Sequence, residues 1–304
     1  MADHRVVDHR VVERPDRAAL RWVESYVGSV VDVRRLTGGW TSAMYLVCGP
    51  SRREYVLRLL DKDPWRRHGA SLIRRESQVQ TMLRHSCVPV PQSLGTDGTG
   101  ELAGHPAHLM SKLPGHLQLH RSDAAHLQAL ADTLARIHEF VPFAPPRAFQ
   151  SWATPAKRTV PPWATHAAGW RSAFERVDDD PPFDAVFLHR DFHLGNVLWS
   201  EGQVSGVVDW VETSWGPAEL DVAHCRTYLA MLHGPDAAVA FQRAYAARRP
   251  GYDPTNQAHW DVVDIVGYLP DPVKVVRPWR DHGIEISDDT ARSRLEHHLR
   301  SVLA

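Results

Sequence analysis

Two carboxylates and a carboxamide lie close together in the second half of this 304-residue chain: Asp191, Asn196 and Asp209. An apolar, strand-like segment at 186–188 leads into them. Carboxylate and amide oxygens suit Mg²⁺, a hard cation that proteins usually share with substrate phosphates. In phosphoryl transfer, an aspartate accepts or orients the proton of the attacking hydroxyl. The three residues therefore predict phosphoryl transfer, with Asp191 as the base and Asn196 and Asp209 as metal ligands.

The residues from Val197 to Val208 predict a hairpin of two short strands around a turn at 200–203. Asn196 and Asp209 are equidistant from the expected centre of that turn, so an antiparallel hairpin would place them side by side. Taken singly, an Asp or Asn here could equally be a turn or cap residue. The combined spacing favours a shared site.

The string HRDFHLGNVL begins at His189, and VVDW and GPAELD follow it. These motifs resemble those of the aminoglycoside phosphotransferase family, which shares the protein-kinase-like fold, over roughly residues 30–270. The resemblance implies the same roles for the three polar residues above, ATP as the phosphate donor and Mg²⁺ as the cofactor. GTP is not excluded as the donor. By the same resemblance, His189 and Asp221 brace the catalytic loop from behind.

Asp221 can also be assigned from its own surroundings, because it comes early in a predicted helix whose neighbouring residues are apolar. A carboxylate among apolar side chains needs hydrogen-bond partners, and backbone N–H groups of the loop at 189–196 would supply them. A first-turn aspartate that complements the helix dipole would give the same pattern. His193 has no clear chemical task and is expected to pack or hydrogen-bond within the loop.

Periodicity predicts a β-rich first part of the chain and a largely helical second part. In the first part, strands are expected at 30–36, 43–48, 54–60 and 105–113, and helices at 16–27 and 68–84. In the second, helices are expected at 123–140, 217–232, 236–248, 256–268 and 288–303, after a proline-rich loop at 141–163. The expected fold class is α+β, a two-lobed protein-kinase-like fold. Its N-terminal lobe is an antiparallel sheet with a helix, and its C-terminal lobe is mainly helical.

The expected domains are a flexible tail at 1–15, a nucleotide-binding lobe at 16–110, a hinge at 111–115 and a helical lobe at 116–304. By the resemblance, the backbone of Ser111 and Leu113 in the hinge would hydrogen-bond the adenine edge. An edge strand that ends in a turn would have the same sequence pattern.

The nucleotide phosphates have candidate partners in the first part of the chain. Gly38 and Gly39 lie between two predicted strands, where glycine lets the backbone approach a phosphate closely; a plain hairpin turn would look the same. Arg58 lies in a predicted strand and Glu76 on the inward face of the next helix, so the two could pair and hold the α/β phosphates. The family often has Lys where Arg58 stands. An edge-strand Arg and an exposed Glu are the alternative.

The acceptor side is less well defined. Aminoglycosides are polycations, and the resemblance implies carboxylates near the catalytic aspartate. The candidates are Glu212, Asp261 and Asp264, with Tyr268 and Asp271 nearby. A solvated polar face would give the same pattern. Trp152, Trp163 and Trp170 could stack on an acceptor, although simple packing is an equal alternative.

Composition limits the partners. The formal net charge is −1, which gives no reason to expect nucleic acid or an anionic membrane surface. No apolar run reaches the roughly 18 residues of a membrane span, and no apolar secretion signal opens the chain. The three cysteines are far apart, which favours a reducing cytoplasm. The expected partners are a nucleotide and a small-molecule acceptor, with the chain as a monomer or homodimer.

The function predicted from the sequence is ATP-dependent O-phosphorylation of a small hydroxylated molecule, above all an aminoglycoside-type or other antibiotic. One alternative is a metabolic kinase with a homoserine-, choline- or sugar-like acceptor. Another is a nucleotide-binding module without catalysis. A protein kinase is disfavoured, because no clear activation segment lies between Asp209 and Gly216.

Overall fold

The computed structural model describes residues 14–37 and 41–304. These residues form two compact units. One comprises the described chain through Arg74 together with Ser93–Lys112, and the other comprises Arg75–Gln92 and Leu113–Ala304. Most of the predicted tail, and the predicted phosphate-binding residues Gly38 and Gly39, lie outside the described residues.

The first unit is built on an antiparallel sheet of five strands. The strands are β1 (Asp32–Arg35), β2 (Ala43–Cys48), β3 (Glu54–Leu59), β4 (Ser93–Asp97) and β5 (Ala107–Ser111). Their order across the sheet is β1-β2-β3-β5-β4, so β3 is central. All neighbouring strands pair antiparallel.

Helix α1 (Arg17–Val27) packs on this sheet. Asp16 caps it by accepting a hydrogen bond of 2.7 Å from the Ala19 N–H. Its apolar stripe, Ala19, Trp22 and Val23, is buried in one cluster with sheet residues such as Leu57. Burial of this stripe is the main contribution that holds the helix to the sheet.

The second unit is mainly helical. Its helices are α3 (Ala124–Glu139), α4 (Ala167–Arg176), α5 (Ala218–His233), α6 (Pro235–Arg248), α7 (Gln257–Gly267), α8 (Val273–Asp281) and α9 (Asp288–Leu303). Two short antiparallel sheets of two strands each accompany them. Their strands are β6 (Ala185–Leu188) with β9 (Ser214–Pro217), and β7 (Val197–Ser200) with β8 (Gln203–Val207).

Helix α5 lies at the centre of this unit, in contact with α6, α7 and α9. Nearly all of its residues are buried, including the polar residues Asp221, His224 and Arg226. A helix that is buried on every side cannot send such side chains to water, so each must find a partner inside the protein. Those partners define the candidate site described below.

Helix α2 (Gly69–Leu83) is divided between the two units, because residues 75–92 group with the second one. The reason is that Val79, Leu83 and Val88 are buried in the same apolar cluster as the α3 side chains. The three cysteines, all described, are free of disulfide bonds.

Among the described residues, no helix combines the length and the apolar character needed to cross a membrane.

Candidate active site

The loop between β6 and β7 carries Asp191 and Asn196 on a sharply turned backbone. Arg190 adopts a left-handed conformation with φ of 72°, which is uncommon for a residue other than glycine. The turn that follows it, Leu194–Asn196, is capped by His193, whose Nδ1 accepts a 2.9 Å hydrogen bond from the Gly195 N–H. A side chain of the loop itself therefore contributes to holding this turn.

Both carboxylate oxygens of Asp191 have protein partners. Oδ1 lies 3.0 Å from His224 Nε2, and Oδ2 accepts from the Asn196 amide nitrogen at 3.2 Å. That nitrogen also donates to the Asp191 backbone carbonyl at 2.9 Å. The Asp191 side chain is 25% exposed, whereas its partner His224 is only 3% exposed. The aspartate is thus fixed in orientation and still reachable from solvent.

The same contacts fix the orientation of the Asn196 amide. Its amide nitrogen is used on Asp191, and none of its described contacts uses the amide oxygen. Asparagine therefore presents a carbonyl oxygen, and Asp209 supplies a carboxylate from the end of the neighbouring strand. Oxygen donors of these two kinds fit Mg²⁺ better than a softer transition metal.

The hairpin between these two residues exists, but its predicted register was wrong by one residue. Its turn consists of Glu201 and Gly202, both left-handed with φ of 52° and 77°, as in a type I′ turn. A bulge in the returning strand then shifts the pairing. As a result, the Asn196 carbonyl accepts from the Val208 N–H at 3.0 Å, and Asp209 follows one residue later.

Asp209 leaves the hairpin in a left-handed conformation, with φ of 65° and ψ of 60°. The next residue, Trp210, is fully buried and donates from Nε1 to the Val207 carbonyl at 2.9 Å. A short polar side chain tolerates the left-handed region better than a branched one does. The buried tryptophan therefore fixes the backbone on both sides of Asp209.

His189 links the loop to this segment. Its Nε2 lies 3.0 Å from the Val208 carbonyl, and its Nδ1 accepts from the Asp191 N–H at 3.3 Å. One nitrogen donates and the other accepts, as in a neutral imidazole. Burial agrees with this, because it lowers the pKa of His189 below its ordinary value.

Asp221, in the first turn of α5, holds the loop from below. Its two oxygens accept from the backbone N–H groups of His189 at 2.8 Å and Arg190 at 2.7 Å. His138 of α3 adds a third contact at 3.2 Å. Burial alone would raise the pKa of Asp221, but the hydrogen bond from His138, together with the charges of His138, His189 and Arg190, outweighs burial and the pKa is lowered. The carboxylate thus remains ionised in the protein interior.

Sequence reasoning missed His224 altogether. This residue of α5 lies between Asp191 and Asp264, whose Oδ1 is 2.9 Å from His224 Nδ1. Burial opposes protonation of the ring, yet Asp264 and Asp191 together raise the pKa of His224 to about 9. The available signal was its spacing: His224 follows Asp221 by three residues and so lies on the same helical face.

Asp191, His193 and His224 come close enough to share a metal ion. Their hydrogen bonds argue against one. His193 accepts through Nδ1, so in its neutral form the ring proton is on Nε2, and burial keeps it neutral by lowering its pKa to about 3. Each ring nitrogen of His224 lies at hydrogen-bond distance from a carboxylate, so the ring is already engaged on both sides. His193 stacks on Tyr228 with ring centres 3.8 Å apart.

The structure places two of the candidate acceptor carboxylates in the interior. Asp261 and Asp264 are each 1% exposed. Asp261 pairs with Arg226 and accepts from Gln257 at 2.9 Å. Burial raises the pKa of Asp261 to about 6, against the attraction of Arg226. These carboxylates do not form an open acidic surface.

The other acidic candidates are also paired. Glu212, partly exposed, forms an ion pair with Arg147. Asp271 forms one with Arg292 at 2.7 Å. Because each charge is balanced within the chain, the acidic character expected for binding a polycation is weak here.

The tryptophans of the proline-rich stretch are engaged inside the protein. The guanidinium of Arg190 lies 3.8 Å from the ring centre of Trp152, a cation–π contact. Trp170 is fully buried and donates to Glu296 at 2.9 Å, and Trp163 packs edge-on against it. Packing is therefore a sufficient explanation for all three rings.

The nucleotide candidates can be described only one by one. Arg58 is 6% exposed in the central strand β3, opposite His108 of β5, and Glu76 is 1% exposed on α2. Burial of both excludes the alternative of an edge-strand Arg with an exposed Glu. Ser111 ends β5, and Leu113 packs against Gly206 in the second unit.

Comparison with solved structures shows the same architecture in known phosphotransferases. Aminoglycoside phosphotransferase APH(4)-Ia is 18% identical with a TM-score of 0.67, over 93% of this chain and 98% of that one. A thermostable mutant of it, in a ternary complex with ADP and hygromycin B, is 19% identical with a TM-score of 0.65, over the same shares. The amicoumacin kinase hAmiN, in complex with AMP-PNP, Ca²⁺ and Ami, is 12% identical with a TM-score of 0.56, over 89% of this chain and 87% of that one.

At these identities the structures establish the fold, which is the α+β, protein-kinase-like fold expected from the sequence. The sequence itself establishes the family, since the model of the phosphotransferase enzyme family matches residues 32–256. The chain therefore belongs to the phosphotransferase enzyme family and is a small-molecule phosphotransferase with the fold of the aminoglycoside phosphotransferases.

Proposed function

We propose that the chain transfers the γ-phosphoryl group of ATP to a hydroxyl group of a small molecule, with Asp191 as the base. The observation that carries this proposal is the orientation of Asp191. Its carboxylate is held by Asn196 on one oxygen and His224 on the other, and it remains partly exposed. Each oxygen keeps a second lone pair, so one can accept a hydrogen bond from the acceptor hydroxyl.

In the proposed reaction, Asp191 positions that hydroxyl and takes its proton as the new oxygen–phosphorus bond forms. The bond from phosphorus to the ADP oxygen breaks, and ADP leaves. Burial would raise the pKa of Asp191, but the His224 hydrogen bond and the neighbouring histidines together lower it, so the carboxylate is ionised at neutral pH. Because Asp191 is a weak base, its main contribution is to orient the acceptor hydroxyl. The proton moves to Asp191 late in the transfer, when the oxygen–phosphorus bond is largely formed.

Asn196 and Asp209 would hold Mg²⁺ through the amide oxygen and the carboxylate. The bound cation would neutralise charge on the nucleotide phosphates. Asp221 and His189 contribute indirectly, because they fix the backbone from which Asp191 and Asp209 extend. Removing the Asp209 carboxylate should therefore weaken the metal site and leave the loop intact.

Asp209→Ala tests the metal assignment directly. We expect it to abolish Mg²⁺-dependent ATP binding, because one of two protein ligands is lost. Titration calorimetry with and without Mg²⁺ measures this. Unchanged affinity in the variant would refute the assignment of Asp209.

For the nucleotide itself, ATP is proposed as the donor, with GTP as the alternative. Two of the similar structures were solved with ADP or AMP-PNP. Arg58 and Glu76 are proposed to hold the α/β phosphates, Ser111 and Leu113 to bind the adenine edge, and Gly38 and Gly39 to approach the phosphates. Competition between ATP and GTP for turnover would distinguish the donors.

The acceptor is proposed to be an antibiotic or another small hydroxylated compound. Complexes of the relatives with hygromycin B and with Ami favour an antibiotic. The internal pairing of Glu212, Asp261 and Asp264 favours acceptors that are less cationic than an aminoglycoside. A metabolic acceptor such as a homoserine-, choline- or sugar-like alcohol is therefore a real second candidate.

An acceptor panel decides between these candidates. The protein is supplied with Mg²⁺ and ATP plus aminoglycosides, uncharged antibiotics, or amino and sugar alcohols, and ADP release and phosphorylated product are measured. Phosphorylation of one class above an Asp191→Ala control identifies the acceptor. If ATP binds but no acceptor gives a signal above that control, the chain is a nucleotide-binding module and the proposed function is wrong.

A further inference from the structure

A buried histidine and a buried aspartate lie behind Asp191 on two different helices. His224 of α5 contacts Asp191 Oδ1 through Nε2 at 3.0 Å, and its Nδ1 is 2.9 Å from Asp264 Oδ1 on α7. The three side chains form a continuous hydrogen-bonded row from the site into the core. Asp264 and His224 are 0% and 3% exposed in their side chains, so water does not compete for these contacts.

The protonation state of His224 is determined by the two aspartates on either side of it. Both neighbours of the ring are carboxylates, and they raise the pKa of His224 to about 9 against the effect of burial. At neutral pH the ring is an imidazolium that donates at both nitrogens. It holds two protons already and cannot accept another, so His224 is not a second base. This distinguishes the row from a triad in which a neutral histidine removes a proton.

Aromatic rings limit the movement of the imidazolium. Trp152 meets it edge-on with centres 5.4 Å apart, Tyr268 lies parallel at 6.0 Å, and Tyr228 is tilted at 5.1 Å. Rings on several sides leave His224 little freedom to rotate away from Asp191. Its hydrogen bond to Oδ1 therefore also restricts the rotation of the Asp191 carboxylate.

The described hydrogen bond of Asp264 is the one with His224, and its charge also acts on the buried Arg190. Its Oδ2 is buried without a hydrogen-bond partner among the described residues, which is an unfavourable position for a carboxylate. An apolar side chain could fill the same space without that cost. The hydrogen bond with His224 and the charge of Arg190 compensate it.

We propose that His224 and Asp264 are positioning residues for Asp191, with His224 holding Oδ1 and Asp264 holding His224. The assignment rests on the proposed function, because it concerns the orientation of the base. Fixing Oδ1 from behind directs the remaining lone pairs of the carboxylate toward the acceptor hydroxyl. A misplacement of about 1 Å can cost on the order of 100-fold in rate, so loss of the row should be visible in kcat.

The first test needs no acceptor. Proton NMR of the protein with ¹⁵N-labelled histidine should show two exchange-protected ring N–H signals from one residue, identified as His224 by their loss in His224→Phe. We expect Asp264→Asn to shift the Nδ1–H signal and Asp191→Asn to shift the Nε2–H signal. If both substitutions leave both signals in place, or if His224 gives no such pair, the row does not exist and the proposal is overturned.

The second test measures Mg²⁺–ATP hydrolysis, with water as the acceptor, or transfer to an acceptor found in the panel. His224→Phe removes the donor while keeping an aromatic ring, and we expect kcat to fall at least about tenfold with the KM for ATP unchanged. His224→Gln places an amide N–H near Oδ1 and should recover most of the rate. Asp264→Asn should lie between them.

Arg226→Lys is the matched control. Arg226 is on the same helix, pairs with a buried carboxylate of the same partner helix, and does not touch Asp191. This variant should lower the melting temperature but leave kcat unchanged. The proposal fails if His224→Phe keeps the wild-type kcat, or if the phenylalanine and glutamine variants lose it equally.

The two hypotheses fail differently. Wild-type protein that transfers no phosphoryl group to water or to any acceptor contradicts the proposed function, and the NMR signals still decide whether His224 holds Asp191. Activity that depends on Asp191 but not on His224 supports the proposed function and overturns the positioning role.

Discussion

At the scale of single residues, the site depends on buried carboxylates that accept from backbone N–H groups. Asp221 accepts from the N–H groups of two consecutive residues just before Asp191, so it fixes the backbone position from which the Asp191 side chain extends. Glu296 of α9 does similar work elsewhere, since it accepts from the N–H groups of Thr165 and His166 at 2.9 and 3.0 Å. The two carboxylates differ in one respect: only Asp221 supports the site.

This difference gives a controlled prediction. Asp221→Asn replaces one acceptor oxygen by an N–H group that faces a backbone donor, so the free energy of unfolding should fall by about 1–3 kcal/mol. Because the loop moves, kcat should fall as well. Glu296→Gln should cost a similar stability and leave kcat unchanged. Urea unfolding and ATP turnover measure both; equal kcat values for the two variants would contradict the bracing role of Asp221.

Residue types and spacing were sufficient to select Asp191, Asn196 and Asp209 as the candidate centre and Asp221 as its neighbour. They were not sufficient for His224, because its importance comes from where α5 and α7 pack against each other. They also did not reveal that Asp261 and Asp264, candidates for an acidic acceptor pocket, are buried. A helical stripe of carboxylates looks the same whether it faces solvent or a neighbouring helix that carries Arg226 and His224.

At the scale of elements, the catalytic hairpin shows why a register is difficult to predict. The strands were found, but a two-residue turn and one bulge together displaced the pairing by a residue. Four elements that periodicity missed contain glycine or proline: β4 has Gly95, α4 has Gly169, α8 has Pro278 and β9 has Gly216. Gly95 is required by packing, since a Cβ there would lie 2.5 Å from the Tyr26 ring.

Two glycines near the hairpin allow the cost of backbone strain to be compared with the cost of steric crowding. Gly115 and Gly202 both have positive φ, 97° and 77°. A Cβ on Gly202 would meet nothing within 4 Å, whereas one on Gly115 would lie 2.4 Å from the Trp199 carbonyl oxygen.

We therefore expect Gly202→Ala to cost only about 1 kcal/mol, the strain of a left-handed alanine. Gly115→Ala should cost clearly more, because the backbone at Trp199 must also shift. Thermal unfolding of the two variants measures the difference. Equal losses would mean that the close approach of Gly115 to the hairpin is absent.

At the scale of the whole molecule, buried histidines connect stability to pH. Burial lowers the pKa of several of them below the ordinary value of 6.5. The pKa of His126 falls to about 4, and those of His193 and His298 fall to about 3. Burial also lowers the pKa values of His138 and His189. In acid the unfolded chain binds these protons before the folded chain does. Stability is therefore present above about pH 6.5 and is lost as the pH falls toward 4 and 3.

His224 behaves in the opposite way. Its folded pKa of about 9 lies above the ordinary value, so its contribution is complete below pH 6.5 and is lost as the pH rises through about 9. The two effects together predict a stability maximum near neutral pH, with a steep acid side. Each buried histidine contributes up to about 1.4 kcal/mol per pH unit on that side.

Urea unfolding between pH 4.5 and 9.5, in steps of about half a unit, measures this profile. His126→Phe is the informative variant, because neither ring nitrogen of His126 has a hydrogen-bond partner among the described residues and the ring stacks on Trp199 at 3.9 Å. Phenylalanine keeps the stack and removes one titrating group, so the acid slope should become shallower. A flat profile between pH 7 and 4.5 in the wild type would contradict the linkage.

The proposed function gives Asp191 a single chemical role, that of the base. The measurement that tests this role most directly compares wild type with Asp191→Ala in phosphoryl transfer from Mg²⁺–ATP, with ATP affinity determined on the same samples. We predict that kcat falls by several orders of magnitude while ATP affinity stays nearly unchanged. A variant that keeps more than about a tenth of the wild-type kcat would remove Asp191 from the role of base.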